Sequence, residues 1–270
     1  MASRSMTSCI EELESWMTSN RLKLNADKTE FIWTGSRQQA AKINTAVIVL
    51  KGHQIVPECS VKCLGVLIDT NLTFAPHIRR VAASCFWQIR QLWKIRRSLS
   101  VENAKTLVHA LVASRIDFCN SILYRVAAVH LRPLQSVLNA AARLVLKLRK
   151  FDRVSISSTI RNGLHWLPVH NRIVYKLCLL VFKCQHKQAP TYLSSLCLPL
   201  SAVTTRRQLR AATRGDLDFP RTQTVTYGPR AFAVSGPTCW NSSPSSLKSP
   251  SLKPAHFCKQ LKTVLMAQPS

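Results

Sequence analysis

The sequence predicts an α+β fold: a small antiparallel sheet, then a mainly α-helical middle, then an irregular C-terminal segment with a short terminal helix. Three observations predict it. Short β-branched runs separated by turn residues fill the chain up to about Phe74. Past Pro76 the apolar spacing becomes helical. From Ser201 the texture turns to Thr, Arg, Pro, Gly and Ser. The expected divisions are residues 1–74, 75–200 and 201–270.

Residues 6–20, MTSCIEELESWMTSN, hold the chain's acidic cluster and read as a short amphipathic helix. RLKLNADKTEFIWTG follows as two strand-like runs around Asn-Ala-Asp-Lys, and AVIVLKGHQIV as two β-branched runs around Lys-Gly-His. VKCLGVLIDTNLTF, residues 61–74, reads as a strand entering a tight turn, with Asp69 near its end. In the next stretch Ile78, Val81, Ala82, Cys85, Ile89 and Leu92 recur at helical spacing as a core-facing stripe. Ser100, with Glu102 and Asn103 after it, caps a second helix. Pro133 suits the first position of a third helix, whose Leu134, Val137, Leu138, Ala141, Val145 and Leu148 share a face. A fourth helix, about Val169 to Lys187, is apolar nearly all round and therefore central. The terminal helix falls near Ala255 to Met266.

Charge bounds the function. Lys and Arg number 38 against 12 Asp and Glu, a formal charge of +26. Between Phe118 and Gly215 sixteen cations face one acid, Asp152. A folded surface this basic calls for an anionic partner, nucleic acid or an acidic membrane surface. On the first long helix Arg79, Arg90, Lys94 and Arg97 fall within roughly 60° of one another, with Arg80 and Trp87 beside them, opposite the apolar stripe. The third helix carries Arg143, Lys147 and Lys150; the fourth carries Arg172, Lys176, Lys183 and Lys187. Ordinary solvated helix faces mix signs, whereas acids are almost absent here, so these faces are read as contacting phosphates.

Other chemistry is poorly represented. His53, Cys59 and Cys63 lie close together, but a structural zinc site wants four ligands and no second pair follows. Asp216 and Asp218 alternate as two carboxylates on one strand face would, in a Pro- and Arg-rich segment that equally suits a turn with arginine partners. There is no glycine-rich phosphate loop and no nucleophile elbow. The ten cysteines are scattered, with Cys85, Cys119, Cys178 and Cys184 inside apolar helical patterns, as reduced thiols would be. The longest purely apolar run, Leu177 to Phe182, is too short to span a bilayer. No signal-peptide pattern opens the sequence, so the expectation is an intracellular protein, nuclear or cytoplasmic, neither secreted nor membrane-embedded.

Several long motifs in order resemble the end of LINE-type, non-LTR retrotransposon reverse transcriptases: WMTSNRLKLNADKTEFIW, KCLGVLIDTNLTF, AKTLVHALVASRIDFCNSILY, LQSVLNAAARLV, LHWLPVHNRIVYKLCLLVFKCQHKQAPTYL and GDLDFPRTQTVTYGPRAFAVSGPTCWNSSP. The resemblance covers almost the whole chain. It implies that residues 1–74 are a palm remnant with a primer-grip hairpin, and that residues 75–200 are a thumb. Leu64, Gly65 and Val66 would then grip a primer end, while Asp69 would cap a turn instead of serving catalysis. Lys28 falls where the family's palm has a lysine suspected of protonating pyrophosphate; a plain turn lysine is the other reading.

The family's polymerase magnesium ions are held by an early palm Asp and a Phe-x-Asp-Asp turn, and no Phe-x-Asp-Asp occurs in these 270 residues. The resemblance thus implies a C-terminal fragment that binds RNA and DNA as primer–template duplex, works with an upstream palm and fingers, and holds no cofactor or metal itself. Ser243 in WNSSP stands where the family usually has Leu, and Arg125 where Gly is common. A non-enzymatic nucleic-acid-binding protein derived from the element, or a decayed copy, are the alternatives.

Overall fold

The computed structural model describes residues 2–35, 47–50, 53–149, 152, 155–202 and 214–267. Mostly helical, with two small antiparallel hairpins, it has the α+β character expected. The chain forms two compact units, residues 1–77 and 78–270.

In the first unit, helix α1 spans Ala2–Ser19. Arg21 adopts a left-handed conformation (φ 57°), which lets the Leu22 amide donate back to Met17 O at 2.8 Å and close the helix end. The two runs expected as strands around Asn25 do not form a ladder. Ala26–Lys28 is a 3₁₀ turn, and Phe31 makes a single parallel bridge to Pro57. Point contacts hold this segment instead: Lys62 N donates to Glu30 Oε2 at 3.0 Å, and Gly35 N to Thr70 O at 3.0 Å.

The strands pair locally. β1 (Ile48–Leu50) pairs with β2 (His53–Ile55), and β3 (Ser60–Cys63) pairs with β4 (Val66–Asp69), each antiparallel. The β3–β4 register puts Cys63 opposite Val66, leaving a two-residue turn in which Leu64 (φ 46°) and Gly65 (φ 91°) both have positive φ. That is the turn whose twist suits two adjacent antiparallel strands, and it explains the glycine.

In the second unit, α2 (Ala75–Ile95, its first turn belonging to the preceding residues) buries Ile78, Ala82, Cys85, Ile89 and Leu92 and ends in a 3₁₀ turn, Arg96–Ser98. Helix α3 (Val101–Val108) starts where Ser100 Oγ accepts from Asn103 N at 3.1 Å, and runs through a π-helical stretch, His109–Ala113, into Ser114–Asp117. Helix α4 spans Ala128–Leu146. Pro133 lies inside it and not at its first position, so the helix goes without the bond that an N–H at 133 would give to Val129 O. A short helix, Ile156–Ser158, passes into a second π-helical stretch, Thr159–Gly163.

Helix α5 (Val169–Gln185) is the centre of the unit, with Ile173, Leu177, Cys178, Val181 and Phe182 buried. The segment past Ser201, expected to be irregular apart from a short terminal helix, completes this core in its described part. Helices α6 (Phe232–Asn241) and α7 (Pro254–Ala267) pack on α5. Phe257 stacks on Phe182 at 4.1 Å between ring centroids and on Trp240 at 6.0 Å. The Trp-Asn pair of WNSSP acts structurally. Trp240 Nε1 donates to Gly215 O at 3.0 Å, and the Asn241 amide pairs with both backbone groups of Leu217, at 2.8 and 2.9 Å.

Candidate nucleic-acid interface

Helix α2 contains no Asp or Glu. Its stripe of buried residues turns the opposite face outward, so Arg79, Arg80, Trp87, Arg90 and Lys94 are all exposed, and Arg97 continues the face from the 3₁₀ turn. Two aromatic residues not singled out from sequence belong to the same face: Phe86 and Trp93 are exposed and bracket Arg90 at helical spacing. The i, i+4, i+7, i+11 series Phe86, Arg90, Trp93, Arg97 was the available signal. Phe86 and Trp93 also line a groove of about 630 Å³ shared with Arg143 and Arg149 of the α4 end, where Arg143 Nη1 donates to Arg149 O at 2.7 Å. Cations alternating with exposed rings present charge for phosphates and flat apolar surface for sugars or bases.

Arg96 belongs to none of this. It is only 2% exposed, and its guanidinium donates to Leu144 O, Leu99 O and Val145 O, each at 2.7 Å. The Leu144 and Val145 carbonyls lie in the last turn of α4, where carbonyls run short of intrahelical donors and a cation is favoured; Leu144 O also accepts from the C-cap Lys147 N at 3.3 Å. Arg96 falls at the angular position of Ile78 on the helical wheel, the apolar stripe, which is how its fate differs from that of Arg97.

The remaining sequence-predicted cations do not form matching stripes. Arg143 is half-buried at the groove. Lys147 is the left-handed C-cap of α4 (φ 57°) and exposed, while Lys150 lies outside the described residues. On α5 the expected row breaks up. Arg172, with its side chain 11% exposed, pairs with Asp117 Oδ2 at 2.7 Å and donates to Leu167 O at 2.8 Å, which commits it to the fold. Lys176 is half-buried, Lys183 is exposed, and Lys187 (φ 55°) follows the helix end.

In the first unit, Leu64 at the hairpin tip is 91% exposed, beside Gly65 and the buried Val66. Lys28 is exposed and closes the 3₁₀ turn through its amide to Asn25 O at 3.3 Å. Asp69 is a turn cap, as expected: its carboxylate accepts from Thr73 N at 2.9 Å, Thr73 Oγ1 at 2.8 Å and Phe74 N at 2.6 Å, ordering the chain just before α2.

Asp216 is buried and bonded to Lys248 Nζ at 2.6 Å, with Arg214 Nε at 3.7 Å, so its main partner is a lysine 32 residues away and the expected arginine is the more distant one. Lys248 also donates to Asn241 O at 3.0 Å. Among the described residues no three His, Cys, Asp or Glu side chains converge to hold a metal ion, and no helix is long and apolar enough to cross a membrane. All ten cysteines are free thiols. Comparison with protein-family models, curated protein sequences and solved structures finds no match to this chain.

Proposed function

We propose that this chain is a nucleic-acid-binding portion of a retrotransposon-type RNA-directed DNA polymerase, holding primer–template duplex by its backbone. One observation carries the binding: the exposed, acid-free face of α2, where Arg79, Arg90, Lys94 and Arg97 alternate with Phe86, Trp87 and Trp93. Fixed cations on a rigid helix can track successive phosphates, and contacts to phosphate carry no sequence information, so the binding is read as shape-directed with little base preference. The polymerase assignment rests on the ordered motifs of the sequence. In this reading nucleotide transfer belongs to palm aspartates supplied elsewhere, because two-metal chemistry needs carboxylates to hold the ions. Leu64, at the exposed tip of the β3–β4 hairpin, is the apolar contact the chain would offer a primer end.

The test is a titration of an RNA–DNA duplex with the purified chain as salt rises from about 50 to about 200 mM. The reading requires micromolar or tighter binding at low salt and a steep linear fall of log affinity against log salt. A flat response would mean that this face does not meet phosphate. The same preparation, given primer, template, nucleotides and magnesium, extends no primer.

A further inference from the structure

A second cavity, of about 310 Å³, is lined by residues of α5, of α7 and of the stretches that follow α3 and precede α5. The two π-helical stretches flank it in sequence: His109 opens the first, and the second leads into His165 and Trp166. Such widened turns displace side chains from the regular helical register and recur at functional sites. His165 is held with φ 53°, a strained conformation for a non-glycine residue.

The lining has three chemically distinct parts. The first is aromatic. Trp166 is buried and meets the His109 ring edge-on at 5.4 Å, and Tyr175 joins them. Burial and the nearby Arg172 charge lower the His109 pKa, which keeps the ring neutral at physiological pH. The second part is a pair of acceptors. Asp117, engaged by Arg172, also accepts from Asn120 Nδ2 at 3.3 Å. Asn120 is 3% exposed, and its Oδ1 is buried with no hydrogen-bond donor among the described residues. An orphaned buried acceptor is costly, so a cavity-lining residue that keeps one points to a donor that arrives with a ligand. The third part is cationic: Lys176 and Lys262 line the cavity, and among the described residues neither is in an ion pair.

Stacking surface, adjacent acceptors and a cationic rim together match one ligand chemistry, a nucleotide. Among the four common bases guanine sets two N–H donors, N1–H and N2–H, side by side on its pairing edge. We propose that this cavity takes a single guanine nucleotide turned out of a nucleic-acid strand, with its base edge on Asn120 Oδ1 and Asp117 and its phosphate at Lys176 and Lys262. The inference rests on the nucleic-acid reading above and deepens it: α2 holds the backbone without base preference, and this cavity reads one unpaired base. Side chains commonly recognise unstacked bases in this way, by stacking and by hydrogen bonds to the pairing edge.

Fluorescence anisotropy with labelled uridine-rich decamers tests it, the central base being guanosine, inosine or adenosine. Inosine lacks only the N2 amino group. The full chain should bind the guanosine strand about fivefold tighter than the inosine strand, the worth of one hydrogen bond, and tighter still than the adenosine strand. Asn120→Leu should abolish the guanosine–inosine difference. Should that variant not fold, Lys176→Ala with Lys262→Ala, both nearer the surface, should weaken the guanosine strand at least about fivefold through lost phosphate contacts. Competition by free GMP, and less by IMP, would show that the nucleotide alone suffices; preference within the strand without GMP competition would show that the strand is the source. Equal binding of guanosine and inosine strands by the unaltered chain overturns the proposal. A hybrid duplex titrated in parallel separates the two readings: duplex binding with no guanosine preference removes only this one, and no binding of either removes both.

Discussion

At positions 96 and 97 two identical side chains, adjacent in sequence, meet opposite fates: Arg97 is exposed and Arg96 is buried against three carbonyls. Replacing Arg96 by Ala removes three charge-assisted bonds and leaves the buried Val145 carbonyl without its arginine donor, at a cost on the order of 3 kcal/mol, read as a lowered urea midpoint. Arg96→Lys should recover little, because an ammonium cannot fork to three carbonyls held in fixed positions. Arg97→Ala should leave the midpoint nearly unchanged. His109 supplies a residue-scale dependence on pH. Its pKa is lowered from 6.5, chiefly by burial and next by Arg172. The folded state thus favours the neutral ring, and His109 contributes stability that is present above pH 6.5 and lost as pH falls through the folded value. Urea midpoints between about pH 7.5 and 5.5 should fall toward acid, and less so in His109→Gln. No change of slope in that variant would remove this explanation.

Among the elements, the long helices were legible because periodicity alone defines them. Val169–Gln185 and Pro254–Ala267 lie within two residues of the expected bounds. The Ser100 cap, the Asp69 turn and the LG hairpin were legible for a similar reason: each is set by local chemistry. What sequence did not reveal depends on long-range partners. The runs around Asn25 alternate like strands, but whether a ladder forms depends on a partner strand, and one bridge to Pro57 is all that forms. The order in α6 was hidden because its stability comes from α5. Gly236 in α6 marks that contact: a Cβ there would lie 3.0 Å from Val181 Cγ2 and 3.1 Å from the Phe232 ring. Val181 is wholly buried and has no room to retreat. Gly236→Ala should therefore destabilise, by about 1–3 kcal/mol, although alanine is the better helix former. A stabilised variant would mean that the α5–α6 packing is looser than described.

The whole molecule combines a reduced, well-filled helical unit with an outer surface dominated by cations. Burial raises the thiols of Cys85 and Cys239 to about 11 and those of Cys178 and Cys197 to about 12. Few of these are thiolates at neutral pH, so a brief alkylation near pH 7.5 should label the exposed Cys9, Cys59 and Cys63 and spare those four until denaturant is added. Early labelling of Cys178 or Cys239, read by peptide mass, would show the α5–α6 core to be open. The site was legible in part for a reason that also sits at this scale. Net charge and helical spacing reveal which cations can face outward. They do not reveal that Arg172 is taken up by Asp117, or that Phe86 and Trp93 complete the α2 face.

The central claim is that geometry on α2, beyond net charge, holds the duplex. The direct test compares two triple variants of equal charge, Arg90→Ala/Lys94→Ala/Arg97→Ala and Arg221→Ala/Lys253→Ala/Lys259→Ala, the second set being exposed cations from other parts of the same unit. With circular dichroism confirming that both stay folded, affinity for an RNA–DNA duplex is measured against salt. The α2 variant should bind at least about tenfold more weakly than the control and lose about two to three units of salt slope, roughly one for each phosphate contact removed. Equal losses in the two variants would contradict the account, since duplex would then be responding to total charge and not to the face that α2 presents.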